Sequence, residues 1–346
     1  MRLKSWLLIL TGVYAIILGA IAVFNWLGPD RFWLGALNLY LPQVMWALPG
    51  LVLAFLMYRA DRSWIWLPLL CVLCVLGPIM GYKWPLPSAK AEAAGFSVRV
   101  MTWNIKYGKH DLMPLIEEVA RCQPDIIFFQ DAVDATPGPL ADYFSKWQVR
   151  NQGQYLIASR YPLSEAEVFD LPSSDNRKDN FLRCRMRIGS EEVSLYNVHF
   201  RTPRRSLNAF RKVKKGPWYI PRAIERFNNN VTTRLVQART VAGYLADEKG
   251  PVIVAGDLNS PDASMVCGTL RDAGLHDAFA ERGRGYGYTY GHLLFKRRLP
   301  WLRVSWMRID HIMASSGFLG QRCWVGTGKA SDHRPVIADF ILKYPG

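Results

Sequence analysis

Between Trp6 and Leu27 the chain runs for 22 residues with only Thr11 and Asn25 as clear polar interruptions, and roughly 20 apolar residues suffice for a helix to cross a bilayer. A helix that is apolar all round has few places to go in water. A cleaved secretory leader is the competing reading, with Arg2 and Lys4 as its basic start and Ala20-Ile21-Ala22 as its small-residue cleavage spacing. The run is too long for a leader, and two more apolar runs follow it. Residues 1–82 are therefore predicted to be a membrane anchor with spans at 6–27, 32–58 and 64–80. Asn38, Pro42 and Gln43 leave an interfacial placement open for the first part of the second span. Arg2, Lys4, Arg59 and Arg62 fall on one side of a three-span arrangement, against Arg31, Lys83 and Lys90 on the other. This bias predicts a multi-pass chain with a cytoplasmic N-terminus and an extracytoplasmic remainder, and its modest size leaves a two-span or inverted topology open.

Residues 83–95, rich in proline and small side chains, read as a linker, and 96–346 as one further domain. In that domain apolar runs of strand length end repeatedly on polar residues. Phe96 to Trp103 alternates and delivers Asn104, and the continuously apolar Asp125 to Phe129 reads as a strand buried on both faces that delivers Gln130 and Asp131. Tyr155 to Ser159, Arg183 to Ile188, Val193 to Asn197 and Pro251 to Ala255 read as further strands, the last two leading to His199 and to Asp257 and Asn259. Helices are predicted from Asp111, as a candidate N-cap, to Cys122, and from Val231 to Asp247. Cys122, Cys184, Cys267 and Cys323 lie beside apolar residues and read as buried free thiols, and Cys71-x-x-Cys74 lies inside an apolar run without further ligands.

The stretches Thr102-Trp103-Asn104, Gln130-Asp131, Asn197-Val198-His199, Gly256-Asp257-Leu258-Asn259, Asp310-His311 and Ser331-Asp332-His333 occur in that order. Together they resemble the endonuclease/exonuclease/phosphatase superfamily, which holds DNase I-like nucleases, inositol-phosphate phosphatases and neutral sphingomyelinases. The resemblance spans about residues 96–343 and implies an α/β fold, the four-layer αββα sandwich, which the alternation of strands and helices fits independently. It implies that Asn104 and Asp131 hold Mg²⁺, with Mn²⁺ as the alternative ion, and that Asp332 lies close by. It further implies that His199 contacts phosphoryl oxygens, that Asp257 orients or deprotonates the attacking water, that Asn259 donates to the transition state, and that Asp310 fixes the tautomer of His333. Where the family has Gln-Glu this chain has Gln130-Asp131, one methylene shorter, and Mg²⁺ tolerates little slack around roughly 2.1 Å. Taken singly, Asn104 reads equally as a turn residue and Asp257 with Asn259 as an Asx-turn. His311 reads as a packed histidine, and Asp134 and Asp262 as solvated loop acids.

Residues 96–346 carry 36 Lys and Arg against 25 Asp and Glu, a balance that suits polyanionic partners. Residues 201–226 hold nine of these cations against Glu225 alone, interleaved with Phe210, Trp218 and Tyr219, and 284–308 hold six with no acid, among Tyr286, Tyr288, Tyr290, Phe295, Trp301 and Trp306. Both stretches read as long connections at the rim of the site. Nucleic acid is one partner class for such loops. A short tether beside a bilayer favours the other, membrane lipid, since Trp, Tyr and Lys/Arg together are an interfacial composition. The expectation is a membrane-anchored phosphoesterase acting on a phosphoester that is lipid-linked or at the membrane surface. An extracytoplasmic nuclease and a catalytically weak polyanion-binding or lipid-binding protein are the alternatives.

Overall fold

The computed structural model describes residues 2–85, 94–106, 112–133, 139–174, 178–291 and 304–344. Most of the predicted linker, with Lys90, lies outside these residues, as do Asp111, Asp134, Phe295 and Trp301. The chain divides into two compact units, Met1–Tyr82 with Asp262–Met265, and Lys83–Pro261 with Val266–Gly346.

In the first unit, three helical stretches are long and apolar enough to cross a bilayer by length and composition: Leu3–Leu27, Gln43–Ala60 and Arg62–Ile79. Large apolar side chains such as Trp6, Ile16, Phe55 and Leu73 are exposed on them. The second predicted span is divided. A helix at Trp33–Leu39 stops, and a 3-10 turn at Gln43–Trp46 leads into the helix Ala47–Ala60. Pro42 explains the break, because its ring pushes the preceding residue out of the helical region and it lacks an N–H. Asn38 then serves the gap, taking the indole N–H of Trp46 on Oδ1 at 2.9 Å. Lys4 pairs with Asp61 at 2.8 Å, which brings the start of the first stretch to the end of the second.

The second unit holds twelve described strands: β1 (Gly95–Asn104), β2 (Ile126–Gln130), β3 (Gln148–Gln152), β4 (Tyr155–Ser159), β5 (Glu167–Leu171), β6 (Asp179–Ile188), β7 (Glu191–His199), β8 (Val252–Asp257), β9 (His276–Asp277), β10 (Asp310–Ala314), β11 (Phe318–Val325) and β12 (Val336–Lys343). They form two six-stranded sheets, ordered β11-β12-β1-β2-β4-β3 and β5-β6-β7-β8-β10-β9. The pairs β1·β2 and β7·β8 are parallel and the others antiparallel.

The core between the sheets contains Val98, Val100, Ile126, Phe128, Leu195, Ile253, Ala255 and Ile312. On the outer face of the first sheet, Met101, Trp103, Ile127 and Phe129 pack with Leu115 and Val119 of the helix Met113–Cys122. On the outer face of the second, Tyr196, Val198 and Val254 pack with Ala238 and Val241 of the helix Ile220–Ala246. The result is the four-layer αββα sandwich, and it explains why every residue of β2 and β8 is buried. The long helix starts eleven residues before the predicted Val231, so much of the basic stretch 201–226 is helical rather than a loop. Pro221 in its first turn suits a helix start. Cys122, Cys184, Cys267 and Cys323 are buried free thiols.

Candidate active site

Side chains alternate between the two faces of a strand, so the stripe facing the opposite sheet can be followed residue by residue. On β1 it reads Val98, Val100, Thr102, Asn104; on β2, Ile126, Phe128, Gln130; on β7, Val193, Leu195, Asn197, His199; on β8, Ile253, Ala255, Asp257; and on β10, Ala314, Ile312, Asp310. Each stripe is apolar along the core and turns polar at the same end of the sandwich. Register then lines the tips up, with His199 opposite Asp257 and Asp257 opposite Asp310 in the second sheet, and Asn104 opposite Gln130 in the first.

The two sheets meet at Asp257, whose Oδ2 accepts from the amide Nδ2 of Asn104 at 3.1 Å. His199 Nε2 lies 3.5 Å and His333 Nε2 3.8 Å from the same oxygen. The other oxygen, Oδ1, accepts from the backbone N–H of Asn259 at 2.8 Å. Asp257 is therefore an Asx-turn residue and a site residue at once, and Asn104 is too, since its Oδ1 accepts from the N–H of Lys106 at 3.1 Å. His333 Nδ1 contacts Asp310 Oδ2 at 2.9 Å. Beneath this layer Gln130 donates to Asn197 Oδ1 at 2.7 Å, and Asn197 donates to the carbonyl of Phe129 at 3.0 Å, a second hydrogen-bonded tie between the sheets. Asp131, Asn259 and Lys106 all take left-handed backbone conformations, with φ of 49°, 50° and 52°. Such strain in non-glycine residues persists where the surroundings enforce it.

Burial, and then the neighbouring Asp310, push the Asp257 carboxyl above its ordinary range. Burial would pull His333 down, but Asp310 and Asp257 outweigh it and push the imidazole up to about 9. Asp332 is held below the usual carboxylate range in spite of burial, by His333, Lys106 and Arg204. Among the described residues, Asp257, Asp310 and His333 form a group whose ligand atoms lie within 4.8 Å of one another and that could hold a metal ion. Asp257 and Asp310 put two buried carboxylates side by side, and a cation between them relieves their repulsion. The carboxylates of this group therefore fit a divalent ion, with His333 beside them.

A family model described as the endonuclease/exonuclease/phosphatase family matches residues 101–333. The chain belongs to this family. Solved structures agree on the fold. An endonuclease/exonuclease/phosphatase from Bacteroides vulgatus is 17% identical, covers 72% of this chain and 100% of its own, and gives a TM-score of 0.53. One from Beutenbergia cavernae DSM 12333 is 19% identical over 71% of this chain and 72% of its own, with a TM-score of 0.52. D. rerio TDP2, complexed with single strand DNA product, is 17% identical over 70% of this chain and 98% of its own, with a TM-score of 0.51. No curated protein sequence matches significantly.

Of the residues singled out by motif in this family member, Asn104, His199, Asp257, Asp310 and His333 converge on one point, and Asn259 buttresses it. Asp131 borders the point, with Oδ1 3.6 Å from His199 Nδ1. Asp332 lies at the rim instead, bonded to Lys106 Nζ at 2.9 Å and 3.8 Å from Arg204. Of Asn104, Asp131 and Asp332, which the resemblance implies as metal ligands, Asn104 is bonded to Asp257 of the metal-competent group. His311 is packed as expected, 1% exposed, with Nδ1 2.8 Å from Asp277 Oδ2. Asp262 is half-buried rather than solvated. Thr102 and Asn197 stand inside the motif stretches without a role of their own, although both lie two residues before a tip and therefore share its face. Motif reading passed over Gln154, whose Oε1 accepts from His199 Nδ1 at 2.9 Å, and the sequence carries no signal for it. Tyr290, in the stretch expected at the rim, has its ring centroid 4.7 Å from that of His333.

Proposed function

We propose that the protein is a membrane-anchored, metal-dependent phosphoesterase whose substrate is lipid-linked or presented at a membrane surface. The observation that carries the chemistry is the grouping of Asp257, Asp310 and His333 with Asn104 at the meeting of the two sheets. In this reading Asn104 and Asp131, with Asp257 and Asp310 behind them, hold Mg²⁺ or Mn²⁺. Such an ion supplies Lewis-acid polarisation of the phosphoryl oxygen. Asp257, with its raised pKa, accepts the proton of the attacking water as the new P–O bond forms, and the ester P–O bond breaks on the opposite side. Against burial, Asp310 and Asp257 push the His333 imidazole up to about 9, which favours its protonated form. It offers Nε2–H to the phosphoryl group or the leaving oxygen, while Asp310 accepts from Nδ1. His199, anchored on Gln154, faces the phosphoryl oxygens, and Asn259 fixes Asp257 through its backbone N–H rather than donating to the transition state, because its Nδ2 donates to the carbonyl of Phe200 at 2.9 Å.

Membrane anchoring is supported by three stretches long and apolar enough to span, and by Lys4–Asp61, which gathers the basic residues near positions 4 and 59–62 at one end of the helices. A nuclease is the second reading, favoured by the DNA product in the TDP2 neighbour.

The test is turnover of a generic phosphodiester and of phospholipid vesicles by the full-length protein in lipid. Asn104→Ala, Asp257→Ala and His333→Ala are expected to lower the rate by about 10²–10⁴-fold, and EDTA to abolish it. Activity that survives EDTA, or near-wild-type activity in His333→Ala, sinks the metallo-phosphoesterase reading. If DNA inhibits vesicle hydrolysis and is itself cleaved faster, the nuclease reading takes over.

A further inference from the structure

The helical stretch after the active-site rim contains a hollow that the catalytic chemistry does not use. A cavity of about 130 Å³ is lined by Ala209, Lys212, Tyr219, Arg222, Ala223 and Arg226. Arg222 and Arg226, four apart on the helix Ile220–Ala246, share a face. Lys212 reaches the same hollow from the 3-10 segment Phe210–Lys215. The small side chains Ala209 and Ala223 leave the space open. All three cations are exposed, and none forms an ion pair among the described residues. Like charges converging on one concavity repel one another, and a shared anion relieves that repulsion. The volume is below the roughly 300–1,000 Å³ of sites that enclose drug-sized molecules, which suits a single phosphate group rather than a ring.

The surroundings of the hollow identify the source of that phosphate. Trp218, next to Tyr219, is 70% exposed, and Ile220 is 37% exposed. An exposed indole beside cations is the arrangement that settles at headgroup depth in a bilayer. The hollow is also tied to the site: the short helix Arg204–Ala209 carries Arg204, 3.8 Å from Asp332, at one end and the cavity-lining Ala209 at the other. Five residues of helical rise separate them by about 7.5 Å.

We propose that Lys212, Arg222 and Arg226 form a second, non-catalytic phosphate pocket that takes the headgroup phosphate of an anionic phospholipid, with Trp218 entering the interface beside it. The proposal rests on the membrane-anchored reading above and adds a lipid contact to it. Bound there, the lipid holds the catalytic mouth at headgroup level.

The test uses full-length protein in nanodiscs of phosphatidylcholine, with or without phosphatidylglycerol, read by hydrogen exchange of peptides covering residues 209–226. Phosphatidylglycerol is expected to protect these peptides. The variant Lys212→Ala/Arg222→Ala/Arg226→Ala should weaken the response roughly a hundredfold, as expected for three surface cations, and should keep turnover of a soluble phosphodiester within twofold. Lys212→Ala alone should give an intermediate response. Protection by an oligonucleotide but not by phosphatidylglycerol overturns the lipid assignment in favour of nucleic acid. Protection by millimolar inorganic phosphate without any by phosphatidylglycerol overturns it too, as does an unchanged response in the triple variant. Failure of the anchor reading shows separately, as protein absent from the nanodiscs, and failure of the catalytic reading as absence of wild-type turnover.

Discussion

Asp257 carries two demands that pull in opposite directions. It must accept hydrogen bonds from Asn104 and Asn259, which favours the ionised form, yet it is 1% exposed and lies opposite Asp310 on the next strand. Burial and Asp310 prevail and raise its pKa. A carboxyl with a raised pKa favours the fold while protonated and loses that contribution as pH rises through the folded value. His333 acts in the same direction, because a pKa raised from 6.5 to about 9 favours the fold below about 6.5 and ceases to do so as pH passes 9. In EDTA the urea midpoint is therefore expected to fall between pH 6.5 and 9.5, and His333→Gln should flatten the slope. Mg²⁺ should restore stability at high pH, by about 2.7 kcal/mol at a hundred times its Kd, and Asp257→Asn should reduce that gain. A midpoint that stays level across this range would mean that the charges are compensated by groups other than these.

Among the elements, β8 bears the greatest constraint, since it delivers Asp257 and pairs with both β7 and β10. Gly256 makes this delivery possible. Its φ is 151°, and a Cβ there would lie 1.9 Å from the carbonyl oxygen of Val198. Gly256→Ala is expected to cost about 3 kcal/mol, seen as a lower denaturant midpoint, and to lower turnover by an order of magnitude or more by displacing Asp257. A midpoint within error of wild type would show that β7 and β8 can separate locally without loss. The same strand shows what the sequence made legible. β2, β4 and β8 are buried on both faces, so their apolar runs stood out, and the tips followed from them. β5 escaped because its Glu167-Val168-Phe169-Asp170-Leu171 is mostly exposed at a sheet edge and shows no buried run. The start of the long helix escaped because Asn228-Asn229-Asn230 and the surrounding arginines mask its buried stripe. Phe227, Val231, Arg234, Ala238, Val241 and Leu245 recur at helical spacing, but one of the six is charged. Arg204 and Tyr290 belong to the two stretches expected at the rim, whereas Lys106 reaches it from a connection whose path no local pattern encodes.

For the whole molecule, the proposed membrane anchor carries a prediction of sidedness. The basic residues at 2, 4, 59 and 62 predict an N-terminus inside and a domain outside. An alkaline phosphatase fused after Gly346 is accordingly expected to be active in intact bacterial cells, and a cytoplasmic reporter at the same position to be silent. The opposite pattern would return inositol phosphates and cytoplasmic nucleic acid as leading substrates. The strand order adds a matter of timing. The central partner of β1, the first strand of the domain, is β12, the last, paired from Gly95 with Lys343 to Thr102 with Val336, and His333 stands just before β12. A chain still emerging from the ribosome or crossing a membrane thus has neither the closing strand nor the imidazole. The site is therefore complete only when the polypeptide has been delivered through Lys343, so its assembly waits on the last strand to arrive.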